Sequence, residues 1–336
     1  MPLRLSVRIN RLQKLKPGLL KMTSYIQNIK EVSARLLKDC KVDAVLGFRN
    51  GTVPMMNEPF FARTPEDVQN LVWDSNCGIN LTNYLTDRQE KIGIIAKGCD
   101  SRNIVTHIIE NKIKREQLVI IGVPCKGMID RRKISSMFDG EISDITEDEN
   151  NITVKGQGFE KVLNKKDVLQ QNCDLCVHRN PVEFDEMIAE TVEEQTDIDR
   201  YEDIRKIEAM SPAEKEQYFE DLFSTCIRCY ACRNACPLCY CPTCFTDEAK
   251  PQWVGKSQDE TDVKTFHFLR AYHCAGRCTD CGACERVCPV GINMRLLTRK
   301  LEKDCFDLFE WEAGMSLDVR PPLDTYKPGD PDDFIK

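Results

Sequence analysis

Two stretches of this 336-residue chain place cysteines in the same step: Cys226, Cys229, Cys232 and Cys236 followed by Pro237, and Cys278, Cys281, Cys284 and Cys288 followed by Pro289. No other feature restricts the fold so tightly. Three thiolates spaced by two residues can cap three corners of one iron–sulfur cubane from a single tight loop. The fourth corner needs a ligand from elsewhere, and the proline turns the chain away after the fourth cysteine. Zinc knuckles instead pair C-x2-C units across a longer loop. The doubled run, with identical spacing, therefore predicts two [4Fe–4S] clusters.

Nineteen cysteines in a short secreted chain would suggest a disulfide framework, but this chain is long, 30% charged, and without a signal-peptide pattern. Clustering at ligand spacings points to metal in a reducing, cytoplasmic setting. The net charge of −7 argues against a nucleic-acid binder, whose footprint is a basic face. No run approaches the length of a membrane span. Residues 1–22 form a basic extension with six Lys or Arg and no acid up to Lys21.

Residues 23–180 follow an α/β pattern. Tyr25, Ile26, Ile29, Val32, Leu36 and Leu37 share one helical face after Thr23 or Ser24 as cap, and "KVDAVLGF" reads as a buried strand. "TPEDVQNLVW" reads as a helix capped by Thr64. "KIGIIA", "SRNIVTHIIEN" and "LVIIGV" form a strand, helix, strand unit, which predicts a parallel pair. Cys99 and Cys125 follow those two strands, and loops at the carboxyl ends of parallel strands converge. "EISDITEDENNITVKGQG" reads as a polar hairpin, and "KKDVLQQNCDLC" as a short helix delivering Cys173 and Cys176. These four thiols are candidates for a third cluster, with a catalytic or flavin-adjacent thiol and plain burial as alternatives. Arg102, opening a helix after the "KGCD" loop, is a candidate for a flavin (FAD) phosphate or for pairing with Asp100.

Residues 181–210, with ten acids against one Arg between Glu183 and Asp203, read as an acidic linker. Residues 211–312 follow as a helical region, opened by a Ser211, Pro212, Glu214 capping signature, with a cysteine-bearing insertion at 237–274 and a C-terminal tail at 313–336. Within the insertion, Cys239, Cys241, Cys244 and Cys274 make a further four: an iron–sulfur or zinc centre, or partly free thiols. Cys40, Cys77 and Cys305 default to buried small side chains. Only four His are present, with no Walker, G-x-S-x-G or G-x-G-x-x-G run, so hydrolase, kinase and nicotinamide readings have no anchor. His107 reads as a surface or core residue and His178 as a weak cofactor candidate.

The doubled run resembles that of bacterial ferredoxins, in which the fourth cysteine of each run reaches across to the other cluster. The resemblance implies Cys226, Cys229, Cys232 and Cys288 for one cluster and Cys278, Cys281, Cys284 and Cys236 for the other. With the helical "DVKTFHFLRAYHC" between the runs and "INMRLLTRKLEKDCFDLF" after them, it implies a helical two-cluster arrangement. "KIGIIAKGCDSR", "LVIIGVPCKGM" and "CDLC" resemble the beta-subunit family of coenzyme F420-reducing hydrogenases and F420-dependent formate dehydrogenases over roughly 41–180. That family combines a flavin with iron–sulfur clusters. The ferredoxin half is similar to iron–sulfur subunits of heterodisulfide-reductase-like complexes. Together the resemblances imply an α/β N-terminal domain joined to a mostly α-helical dicluster ferredoxin domain. They imply an electron-relay subunit rather than the substrate-converting one. Its partners would be a catalytic dehydrogenase or hydrogenase subunit and a flavin or heterodisulfide-reductase-like subunit. A flavin-dependent oxidoreductase acting on coenzyme F420 or another hydride carrier is the alternative.

Overall fold

The computed structural model describes residues 25–324. The basic extension, the Thr23 and Ser24 cap and the end of the tail lie outside the described residues.

The first half is built on a five-stranded sheet ordered β2-β1-β3-β4-β8. β1 (Ala44–Asn50), β3 (Ile92–Ala96) and β4 (Leu118–Gly122) are parallel neighbours, β2 (Asn57–Ala62) runs antiparallel to β1, and the short β8 (Glu186–Met187) is parallel to β4. The near-continuous apolar runs are explained by cover on both faces. Leu46, Ile92, Ile94, Leu118 and Ile120 pack on one side with Ile104 of α2 (Gly98–Ile109). Val45, Ile95 and Ile121 pack on the other with Ile29, Leu36 and Leu37 of α1 (Tyr25–Lys38). Successive residues alternate faces, so each strand feeds both cores.

Residues 142–156 form the expected hairpin, β5 (Ile142–Glu147) and β6 (Asn151–Gly156), and β7 (Phe159–Asn164) extends it to three antiparallel strands. This small sheet closes over Ile134 of α3 (Arg131–Ser135), with Ile152 and Val154 buried beneath it and Phe138 stacked on Phe159 at 4.5 Å. α4 (Gln171–Asp174) then delivers Cys173.

The helix expected from Thr64 is only a 3-10 turn at Asp67–Asn70. Two residues later the Val72 N–H donates to the Phe48 carbonyl at 2.8 Å, which draws the chain into an antiparallel bridge and ends the helical path.

The segment 181–210 is built into the fold instead of linking two parts. β8 joins the main sheet, Glu183 and Asp185 pair with Arg115, and Glu186 pairs with Arg35. α5 (Glu202–Glu208) packs on α10 (Arg295–Phe309), with Asp203 paired to Arg299 at 2.8 Å.

The second half comprises α6 (Pro212–Phe223), α7 (Ala231–Asn234), α8 (Glu260–His273), α9 (Ala283–Arg286) and α10. α6 carries the expected capping box. Residues after α10 fold back on α2: Arg102 Nε donates to the Ala313 carbonyl at 2.9 Å, and Arg320 to the Ile109 carbonyl at 2.8 Å. The α/β half and the helical half are tied directly. Asn103 donates to Thr279 at 2.8 Å, His107 Nε2 meets the Pro237 carbonyl at 2.7 Å, and Asn293 donates to Gln171 at 2.8 Å. No helix among the described residues is long and apolar enough to cross a membrane.

Candidate metal centres

The two cysteine runs repeat in backbone as well as in spacing. In the first, Arg228 and Tyr230 hold φ of 49° and 59°; in the second, the matching Asp280 and Gly282 hold 52° and 72°. Each run then enters a four-residue helix, α7 or α9. Left-handed conformations disfavour most side chains, and their placement at the same two offsets coils each loop around a central space.

One cavity is lined by Cys226, Cys229, Cys232 and Cys288, walled by Phe266, His267 and Ile292, with about 320 Å³ of empty space. The other, with about 370 Å³, is lined by Cys236, Cys278, Cys281 and Cys284, and also by Cys274 and Arg270. The last cysteine of each run thus sits in the cavity of the other run. Backbone N–H groups donate to these sulfurs, from Asp280 to Cys278 at 3.4 Å and from Ile292 to Cys288 at 3.3 Å.

Burial pushes the Cys232 thiol up to about 11, the Cys281 thiol up to about 12 and the Cys278 thiol well above its ordinary range. Thiolates in such sites need compensating positive charge, from metal or from basic side chains. Arg270 is 4% exposed, and its Nη2 donates to the Cys232 carbonyl at 3.2 Å. Its Nε has no hydrogen-bond partner among the described residues. Leaving a buried cation without a counter-charge is costly. An anionic cluster supplies that charge and offers acceptors to the orphaned N–H, so the donor set fits the group.

No group of three or more His, Cys, Asp or Glu side chains among the described residues is arranged to hold a single metal ion.

A third cavity lies between the two halves. Cys99 at the start of α2, Cys125 after β4, and Cys173 and Cys176 around α4 line it together, with about 530 Å³ of empty space. The convergence of Cys99 and Cys125 follows from the parallel pairing of β3 and β4. Burial pushes Cys125 up to about 12 and Cys176 up to about 11. Lys97, 2% exposed, pairs with Asp100 at 2.6 Å and also lines the cavity.

Asp100 is thus engaged by Lys97, and Arg102 lines the same cavity. It is 5% exposed, faces the thiols of this cavity and leaves Nη2 without a hydrogen-bond partner among the described residues. Arg286 reaches in from α9, hydrogen-bonds Gln170 and likewise leaves Nε without one. Cys281 lines both this cavity and the second ferredoxin cavity.

Cys239, Cys241, Cys244 and Cys274 are not gathered as a set. Cys239 and Cys274 pack against Cys236. Those two neighbouring side chains, first, hold the Cys236 thiol well below its ordinary range, while Cys239 is pushed up to about 12. Cys241 is exposed, and Cys244 accepts from the Thr246 hydroxyl at 3.3 Å. Cys77 and Cys305 are buried, whereas Cys40 is exposed in a left-handed turn after α1. His107 is buried, and His178 pairs with Glu312 at the edge of the third cavity. Sequence reasoning missed Arg270, Arg286 and Lys97 as site residues. No spacing marks Arg270, but Arg286 stands inside the second cysteine run.

A larger cleft, with about 2180 Å³ of empty space against the 530 Å³ of the third cavity, adjoins it at Cys125. Tyr25, Trp73, Lys126, Lys165 and Arg179 line it beneath the small sheet. It is of the size that accepts an organic cofactor or ligand.

Residues 222–292 match the family model of the 4Fe-4S dicluster domain. The chain is 23% identical over 350 residues to the F420-dependent formate dehydrogenase subunit beta of Methanocaldococcus jannaschii, covering 86% of this chain and 91% of that one. It is 24% identical over 300 residues to the F420-dependent formate dehydrogenase 1 subunit beta of Methanococcus maripaludis, covering 70% and 76%. A chain of the F420-reducing [NiFe] hydrogenase complex from Methanosarcina barkeri matches with a TM-score of 0.37 at 12% identity, over 46% of this chain and 62% of that one. The resemblance to F420-dependent formate dehydrogenase beta subunits read from the strand-end loops therefore holds, and the aligned region extends well beyond residues 41–180.

Proposed function

We propose that this chain is an iron–sulfur electron-transfer subunit of a formate dehydrogenase or hydrogenase complex, passing electrons through clusters held in three cysteine cavities. The names of its sequence relatives support that setting. When bound, the clusters supply one-electron transfer. The chain's own residues hold them, exclude water and balance their charge. Cys226, Cys229, Cys232 and Cys288 would hold the first cluster, Cys278, Cys281, Cys284 and Cys236 the second, and Cys99, Cys125, Cys173 and Cys176 a third.

The observation that carries this reading is the sharing of walls. Cys281 lines both the interdomain cavity and the second ferredoxin cavity, and Arg270 lines the second while bonding the Cys232 backbone of the first. The second cavity shares a wall with the third and a side chain with the first, which supports a single file of three. Exposed Cys229, with Ile227 and Val290 about half exposed beside it, puts the outer end of the file at the surface. On this reading the assembly contains a catalytic dehydrogenase or hydrogenase subunit and works in the cytoplasm.

Iron and acid-labile sulfide on anaerobically purified protein test it: about twelve irons per chain are expected for three cubanes. Cys229→Ala or Cys281→Ala should each remove about four irons and stop transfer through the chain while a partner's half-reaction persists. Undiminished transfer in either variant would refute the relay.

A second reading, a flavin-dependent oxidoreductase acting on coenzyme F420 or another hydride carrier, is favoured by the cleft beside Cys125. Stoichiometric flavin, reduced in a single turnover by that carrier, would support it; flavin-free protein with full iron would exclude it.

A further inference from the structure

The insertion at 237–274 has no counterpart in the doubled ferredoxin run, yet its helix α8 lies against both ferredoxin cavities. His267, Arg270 and Cys274 fall at i, i+3 and i+7, which puts them in one stripe along the helix. The stripe is buried, with 3%, 4% and 2% exposure. His267 Nε2 stands 3.4 Å from Cys226 Sγ, while Nδ1 has no hydrogen-bond partner among the described residues. Its ring stacks on Phe223 at 4.4 Å, which fixes its orientation. Arg270 lies between the cavities, bonded to the Cys232 carbonyl with its Nε unpartnered among the described residues. Cys274, at the end of α8, lines the Cys236 cavity and packs against Cys236 together with Cys239 from the same insertion.

A thiol packed against a ligand sulfur can donate to it without itself ligating. Cys241, by contrast, is exposed, and Cys244 accepts from the Thr246 hydroxyl.

From these contacts we infer that the insertion is a potential-setting element. His267 and Arg270 act on the cluster held at Cys226, and Arg270, Cys274 and Cys239 act on the cluster held at Cys236. Cys239 and Cys274 are hydrogen-bond donors to a ligand sulfur and not ligands of a separate metal. This rests on the cluster reading above. Hydrogen bonds to sulfur and nearby positive charge stabilise the more negative, reduced state, so each of these residues raises the potential of the cluster it faces. They are positioning residues that act through the ligands.

The test is an EPR-monitored redox titration, with iron and sulfide analysis, of the full chain prepared anaerobically. Cys274→Ala and Cys239→Ala should keep the wild-type iron content and lower the potential of one ferredoxin cluster. His267→Phe, which keeps the stack on Phe223, should lower that of the other, and Arg270→Met should lower both. A tenfold change in the reduced-to-oxidised ratio at fixed potential, equivalent to about 59 mV for one electron, is the expected scale. Cys274→Ser retains a donor and should recover most of the Cys274→Ala shift. Arg270→Lys retains the charge should the Met variant fail to fold, and should lie nearer wild type. Loss of about four irons in Cys239→Ala or Cys274→Ala would make those thiols ligands and overturn the inference. Full iron with unshifted potentials would overturn it as well. Wild-type protein that binds no iron would instead overturn the cluster reading on which it rests.

Discussion

Removal of Asp280 should weaken the helical half. This residue sits between Cys278 and Cys281 and accepts from Arg295 at 2.7 and 2.9 Å and from Arg299 at 2.7 Å. Arg295 and Arg299 are 1% and 2% exposed, and the Asp280 side chain is 12% exposed. Replacing Asp280 with Asn keeps the shape and, because Asn tolerates the left-handed region, keeps the φ of 52°. What is lost is the charge. Breaking a buried pair typically costs about 3–5 kcal/mol. Here Arg295 keeps Glu285 at 2.6 Å and Arg299 keeps Asp203 at 2.8 Å, so the expected loss lies near the low end, about 3 kcal/mol. Asp280→Ala adds the left-handed cost, roughly 1 kcal/mol more. Anaerobic urea unfolding, followed by far-UV circular dichroism and by cluster absorbance, should show the Asn variant's midpoint lowered by about 1–3 M at typical slopes. A loss under about 1 kcal/mol would put the network in the exposed-pair regime and refute the reasoning. An Ala variant no worse than Asn would refute the backbone part.

Other positions carry sharper local expectations. Gly282→Ala forces a Cβ to 2.4 Å from the Asn172 side chain at φ 72°, and should cost at least about 1–2 kcal/mol and lower iron retention at the second ferredoxin site. Ser211→Ala removes the acceptor for the Glu214 N–H and should lower stability by about 1 kcal/mol in the same unfolding experiment, without changing iron content. Glu302 is pushed up to about 7, mainly by burial, so its protonated form is the one the fold favours. Its stabilising contribution is complete below the ordinary carboxylate range and is lost as pH rises through about 7, by roughly 3 kcal/mol in all. Glu302→Gln should therefore flatten the fall in stability between pH 5 and 8, and an unchanged pH profile would show that Glu302 is not its source.

The site was legible where chemistry is written as local spacing. Cys226 to Cys236 and Cys278 to Cys288 announce cluster-binding loops, and those loops adopt matching left-handed offsets because the same spacing must wrap the same kind of space. Cys99 and Cys125 were placed together because each ends a strand of a parallel pair. The acidic stretch was misread because its charges were judged alone. Asp185 and Glu186 find Arg115 and Arg35, and Asp203 finds Arg299, partners separated from them by long intervals of chain. The expected helix after Thr64 fails for a similar reason, since its capping signal competes with the Val72 to Phe48 bridge.

The sequence alone determined the ligand chemistry, the alternation of strand and helix in the first half and the helical character of the second, because each depends on residues a few positions apart. Only the tertiary structure decided that Arg286 enters the interdomain cavity, that Cys281 faces two cavities and that Cys239 and Cys274 pack against Cys236. Those outcomes depend on how α8, α9 and the strand ends pack. Spacing along the chain sets which side chains share a face, but packing sets what that face meets.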